Sequence, residues 1–397
     1  HPKCFGRFMP VLNRIAEFQP EIAAWRRDLH AHPELLFDVH RTAGIVAEKL
    51  RAFGCDEVVT GLGRTGVVGI INGRGNTSNR TIGLRADMDA LSITEKTGAA
   101  YASTVDGKMH ACGHDGHTAM LLGAAKYLAE TRNFDGRVAV IFQPAEEGGG
   151  GGRVMIEDGL IDRFAITEVY GMHNWPGMPV GQFGIRTGGI MAATDRFYID
   201  IEGRGGHAAR PQQTIDPIIV AAQMVTALQT IVSRNLDPLE SAVLSVTMIE
   251  AGEADNVISR TAKITGTVRT LDSGVQDFIE QRLVEMVPQF ADSFGARASI
   301  RYVRGYPVTV NAPEQTAFAA DVAREIVGAD RVDDDTVPSM GGEDFSFMLN
   351  ERPGAYIFIG NGDSTELHTD TYDFNDDAIP VGVSYWARLA ERALPIR

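Results

Sequence analysis

The sequence predicts an α/β protein in which a split main domain, with a mixed central sheet flanked by helices, is interrupted by an inserted α+β (ferredoxin-like) domain. Three observations predict it. Apolar strand-like runs alternate with helical patterns from Gln19 to Tyr170. Near Gly188 the texture changes to strand–helix–strand–strand–helix–strand. After Arg304-Gly305-Tyr306-Pro307 it returns to helix, strand and closing helix. A chain of 397 residues exceeds one ordinary core, which agrees with more than one domain.

The elements follow in order. From Gln19 to Arg51, the residues Ile22, Trp25, Leu29, Ala43, Val46 and Leu50 recur at helical spacing. Gly66 to Ile71 and Thr81 to Ala86 read as buried strands around a Gly/Asn/Ser turn. His117 to Glu130 is predicted helical, with Leu121, Leu122, Ala125 and Leu128 inward, and Arg137 to Phe142 and Ala165 to Tyr170 as strands. In the insertion, Asp195 to Glu202, Ala242 to Glu250, Ala262 to Val268 and Ala298 to Val303 alternate as half-buried strands do. Helices are expected at Asp216 to Ser233 and Val275 to Phe290. Beyond it come a helix at Pro313 to Val327, a strand at Ala355 to Ile359 and a helix at Pro380 to Leu394. The expected domains are 1–187 and 305–397 for the two parts of the main domain, and 188–304 for the insertion, with Gly188-Gly189 and the Arg304 to Pro307 turn as hinges.

Composition narrows the function. The formal net charge is -15, and such a surface repels phosphate backbones and anionic membranes, so neither nucleic acid nor a membrane is expected as a partner. No run of about 18 apolar residues suggests a spanning helix. His1 to Pro10 lacks the charged-then-apolar pattern of a secretory signal, and His1 to Phe8 is read as a remnant preceding a native start at Met9. Cys4, Cys55 and Cys112 form no disulfide framework. A cytoplasmic protein is expected.

Four short clusters carry chemistry. The densest, Met109-His110-Ala111-Cys112-Gly113-His114-Asp115-Gly116-His117, crowds soft and borderline ligands into a Gly-rich turn that can aim two of them at one ion. A Cys112 nucleophile paired with His114 or His117 is the competing reading. Gln143-Pro144-Ala145-Glu146-Glu147 ends an apolar strand, where α/β sheets place working residues. Beside a metal, two adjacent carboxylates can divide the tasks of ligand and base. The glycines that follow lack the Lys-Ser/Thr of a phosphate loop. Tyr170-Gly171-Met172-His173-Asn174-Trp175-Pro176 and Glu366-Leu367-His368-Thr369-Asp370 each add a His that singly is as readily a surface residue. Asp87 and Asp89 either orient a His or end their strand. Cys112, His114, Glu147, His173 and His368 exceed the needs of one four-coordinate zinc with an open position, and two ions sharing a bridging group fit the count better.

These motifs, with Met340-Gly341-Gly342-Glu343-Asp344-Phe345, closely resemble the aminoacylase/carboxypeptidase-type metallopeptidases, in the branch of hippurate and indoleacetyl-amino-acid hydrolases. The resemblance runs from Arg26 to the C-terminal helix. It implies Cys112, His114, Glu147, His173 and His368 as ligands, Cys112 as the bridge, Glu146 as general base, and Asp87 as support behind a ligand. Arg85 stands where the wider family's His-x-Asp motif has a ligand. The insertion resembles the family's lid and dimerisation domain, in which His207 reaches the scissile carbonyl, often from the partner subunit, and Asn256 and Arg269 grip the substrate. The implied activity is metal-dependent hydrolysis of N-acyl amino acids by a homodimer or higher oligomer. Two divalent ions are implied per subunit, Mn2+ or Zn2+ before Co2+ or Ni2+. The alternatives are a metallo-dipeptidase or carboxypeptidase, or a non-catalytic metal-dependent binding protein.

Overall fold

The computed structural model describes residues 13–396, so the reading of His1 to Phe8 and Met9 lies outside the described residues. The chain forms two compact units. The larger comprises residues up to Gly188, Val310–Val337, and Asp344 onward; the smaller comprises Gly189–Thr309 and Pro338–Glu343.

The larger unit opens with α1 (Asn13–Ala31) and α2 (His40–Phe53). The sequence reads this stretch as one helical pattern, and the structure breaks it between Ala31 and His40. Pro33 disfavours helix at the residue before it. Glu34 then restarts the helix, its carboxylate accepting the N–H groups of Arg41 (3.0 Å) and Thr42 (2.8 Å). Gly54, at φ 82°, ends α2 in the left-handed conformation. Next come β1 (Glu57–Leu62), β2 (Gly66–Asn72), β3 (Thr81–Asp87), α3 (His114–Thr131), β4 (Arg137–Gln143), α4 (Gly151–Glu157) and β5 (Ile166–Trp175). β1 was not legible as a strand because its residues are mostly exposed and do not alternate.

In the smaller unit, β6 (Ala193–Glu202), α5 (Pro217–Thr230), β7 (Ala242–Ala251), β8 (Thr261–Thr270), α6 (Ser273–Asp292) and β9 (Arg297–Val303) follow one another. The larger unit then resumes with α7 (Pro313–Val327), β10 (Gly354–Gly360) and α8 (Ile379–Ala393). Among the described residues its sheet has eight strands, ordered β1-β2-β4-β3-β5-β10 and then the two-residue strands Phe183–Gly184 and Val332–Asp333. β4, β3, β5 and β10 are mutually parallel and β1 and β2 antiparallel, so the sheet is mixed. β3 and β10 are buried throughout, as strands covered on both faces are. α3 packs against α1, α2 and α8, with Met120, Leu121, Leu122, Ala125 and Leu128 all in the core.

The four strands of the smaller unit order as β7-β8-β6-β9, all antiparallel, with α5 and α6 packed on the sheet. β6 alternates buried and part-exposed residues, so Phe197, Ile199 and Ile201 face Val220, Met224, Ile279 and Leu283. Each helix starts on an aspartate: Asp216 accepts from Ile218 N, and Asp272 from Val275 N. The helical stretch Pro217–Asn235 is long and apolar enough to cross a membrane by length and composition, but Val220, Ala221, Met224, Leu228 and Ile231 bury one face of it in this core. Its composition is that of an amphipathic helix on a sheet.

Candidate metal centre

Every chemical cluster from the sequence except the lid residues lies in the larger unit, at the carboxyl ends of parallel strands, where the chain turns away and side chains converge. β3 ends on Asp87 and is followed by Asp89. β4 is followed by Glu146 and Glu147, and β5 carries His173 two residues before its end. α3 begins at His114, two residues after Cys112. Gly113 makes that turn at φ 82°, and a Cβ there would collide with the Asn174 amide and the Tyr372 hydroxyl.

These turns bring the donors together. Cys112, His114 and His173 form one group with all donor atoms within 4.8 Å of each other, and Cys112, Glu147 and His368 form a second. Cys112 is common to both. Its Sγ is 3.4 Å from His173 Nε2. Glu147 Oε1 lies 3.8 Å from His114 Nε2 and 3.3 Å from His368 Nε2. Glu146, His114 and Glu147 make a further group, with Glu146 itself buried. His368 is the exposed member, held at φ 63° with its N–H on Ala111 O.

Three histidines stand in the first motif, and hydrogen bonding separates them. His114 donates Nδ1–H to Asp89 O (2.8 Å), which leaves Nε2 as the lone-pair nitrogen in the cluster. His173 likewise donates Nδ1–H to Asn174 O (2.7 Å). His117 has neither nitrogen free: Nδ1 donates to Asp87 (2.6 Å), and Nε2 accepts from Asn174 N (2.9 Å). His110 lies buried beside His30 and belongs to no donor group found among the described residues. Asp87 supports the cluster through His117, while its other oxygen takes the Arg85 guanidinium at 2.8 Å and lies 3.7 Å from His114 Nε2. Arg85 also reaches Gln143 and Asp344, each at 2.9 Å. The sequence assigns no role to Asn174 within its cluster, yet Asn174 bonds His117, the Cys112 carbonyl and Tyr372 at once.

The donor set fits divalent cations. His114 Nε2 and Glu147 Oε1 are buried without a hydrogen-bond partner, an expensive arrangement for polar atoms unless something else binds them. Burial, and then Glu147, Glu146 and Asp87, push the Cys112 thiol well above its ordinary range. Without a cation the thiol stays protonated, a poor state for a nucleophile. Burial lowers the His114 pKa, yet Asp87, Asp89 and Glu147 outweigh it and hold it at about 10. That same field favours a divalent ion in place of the proton. Burial and the neighbouring His117 keep His173 neutral.

The lid residues occupy two ends of the smaller unit. His207 pairs with Val257 in a two-residue ladder, and Ala208 N donates to Asn256 O at 3.0 Å, so His207 and Asn256 share one loop cluster. Arg269 sits near the far end of β8, bonded to Thr267 Oγ1 and to Val268 O. Ile258 lies next to the start of β8, so the two sets are separated by about 25 Å of strand.

The chain is similar to several known proteins. Residues 83–392 match peptidase family M20/M25/M40. The chain is 42% identical to a hippurate hydrolase of Campylobacter jejuni, over 97% of this chain and all of that one. It is 42% identical to an N-acetyl-L-cysteine deacetylase of Bacillus subtilis, over 94% of this chain and 88% of that one. Among solved structures, the YXEP protein of Bacillus subtilis, described as a dinuclear metal binding peptidase from the M20 family, superposes with a TM-score of 0.85. That match has 34% identity and covers 96% of this chain and 99% of the other. The chain therefore belongs to peptidase family M20/M25/M40, as one of its metal-dependent amidohydrolases.

Proposed function

We propose that this protein hydrolyses the amide bond of small N-acyl amino acids, with Cys112, His114, Glu147, His173 and His368 holding two divalent ions and Glu146 acting as general base. The observation that carries the proposal is the meeting of two donor groups on the shared Cys112, with Glu146 in the same cluster. The hippurate hydrolase and the N-acetylcysteine deacetylase it is similar to support the substrate class. Mn2+ and Zn2+ are the proposed ions, because the donors mix thiolate, imidazole and carboxylate. When bound, such ions supply Lewis acidity that makes water acidic enough to attack at neutral pH.

The chain's own groups do the rest. Glu146 takes the proton from the attacking water and delivers it to the departing amine. His207 donates a hydrogen bond to the oxyanion as the carbonyl becomes tetrahedral. Arg269 pairs its guanidinium with the substrate carboxylate, a bidentate match needed on a protein of charge -15. Asn256 joins the grip beside His207.

A homodimer is part of the proposal. About 25 Å of strand separates His207 and Asn256 from Arg269, too far for one copy of the smaller unit to bring both to one small substrate. A second copy supplying one of the two sets resolves the mismatch. The edge strand β7, with Val243, Met248 and Ile249 exposed, and α5, with Ile218 and Ile219 exposed, offer the apolar surface for that contact. The proposed setting is the cytoplasm.

The direct test is Glu146→Ala. It should retain the wild-type metal content by elemental analysis while kcat on N-benzoyl or N-acetyl amino acids falls roughly 100- to 10,000-fold. Wild-type turnover by this variant would remove Glu146 from the mechanism.

A further inference from the structure

Asp89 follows β3 and is buried, yet the resemblance assigns it nothing. Its two carboxylate oxygens accept the N–H groups of Glu146 (2.9 Å) and Glu147 (3.1 Å), so one side chain holds both consecutive carboxylate-bearing residues by their backbone. Its own carbonyl accepts Nδ1–H of His114. The loop so held is strained. Ala145, the residue before Glu146, sits at φ 55°, a left-handed conformation that a non-glycine residue adopts only when its surroundings hold it there. A left-handed residue that turns successive N–H groups to one side makes a concave nest for an anion. The Asp89 carboxylate takes the N–H pair of that turn.

We propose that Asp89 is a positioning residue for amide hydrolysis: it clamps the turn that presents Glu146 and Glu147, and it fixes His114 with Nε2 turned to the cluster. The inference rests on Glu146 being the base. It explains how a strained turn presents two adjacent carboxylates for different tasks, since both backbone N–H groups are anchored and the two side chains leave one fixed turn. It also ties three elements, the ends of β3 and β4 and the start of α3, to one residue.

The test is a double-mutant cycle of Asp89→Asn with Glu146→Gln, read by kcat, KM, metal content and melting temperature. The amide keeps the shape of the carboxylate but has one oxygen, so one N–H loses its acceptor and faces an NH2 group. Asp89→Asn should lower kcat about 10- to 100-fold with KM little changed and the metals retained. In the Glu146→Gln background the same substitution should cost far less, because the base it positions is already gone. A merely structural role would give equal losses in both backgrounds and would overturn the proposal. Wild-type kcat in Asp89→Asn beside an inactive Glu146→Gln would overturn it and leave the base in place. A fully active Glu146→Gln would overturn the base and this inference together. Asp89→Ser, which keeps one acceptor, goes through the same cycle, so failure of either variant to fold leaves the other to decide.

Discussion

Arg85 lies in the middle of a fully buried strand, and its guanidinium reaches Asp87, Gln143 and Asp344 at 2.8 to 2.9 Å. Its position, as a departure from a His-x-Asp motif, is legible in the sequence. Its role is not, because Asp344 lies 259 residues away and only the fold brings it near. A charge so placed matters most when its partner is removed. Arg85→Met would leave Asp87 and Asp344 buried without their counter-ion and should cost about 3–5 kcal/mol, read as a lower denaturation midpoint. His30 makes a similar argument through pH. Burial opposes its charge, but Asp115 at 2.8 Å and Glu95 at 3.3 Å raise its pKa to about 10. The folded value lies above the unfolded value of roughly 6.5, so the stabilisation is complete below that pH and disappears as pH rises through about 10. Melting temperature should therefore fall from neutral to alkaline pH, and His30→Asn should flatten that part of the curve.

Long periodic helices and apolar strands were legible one by one: α3, α5, α6 and α8, and β2, β3, β4 and β10, follow from spacing and burial of their own residues. The short elements were not. α4 starts inside the glycine run at Gly151, where propensity argues against helix, and its burial comes from packing on its neighbours. β5 runs on to Trp175, past the apolar stretch that ends at Tyr170, because its ladder with β10 pairs residues as far as Trp175 and carries His173 into the donor cluster. The same holds for the site. Four of its five donors sit in recognisable motifs, whereas the sequence assigns Asn174 no role and leaves Asp89 open between orienting a His and ending its strand. α3 holds His114, and with it the turn that carries Cys112, through the packing of its whole length. Leu121→Ala, at a fully buried position of that helix, should cost about 2–5 kcal/mol in a urea midpoint and loosen metal binding with it.

At the scale of the molecule, the account needs two copies. The separation of His207 and Asn256 from Arg269 predicts that His207→Ala and Arg269→Ala are each inactive alone and regain activity when their subunits are mixed and exchanged. No recovery in demonstrably mixed dimers would place both sets in one subunit's site or remove one from it. The sequence could not supply this argument, since only the sheet register shows which residues share an end. The central claim remains metal-dependent cleavage of acylated amino acids, and one assay tests it most directly. Amine release is followed from a panel of N-acyl amino acids and free dipeptides, using Mn2+- or Zn2+-loaded protein beside a fully chelated aliquot. The account predicts release that depends on metal, returns on its addition, and favours the acylated amino acids over the free dipeptides. Full activity after complete metal removal would contradict it, and a preference for free dipeptides would make the protein a dipeptidase.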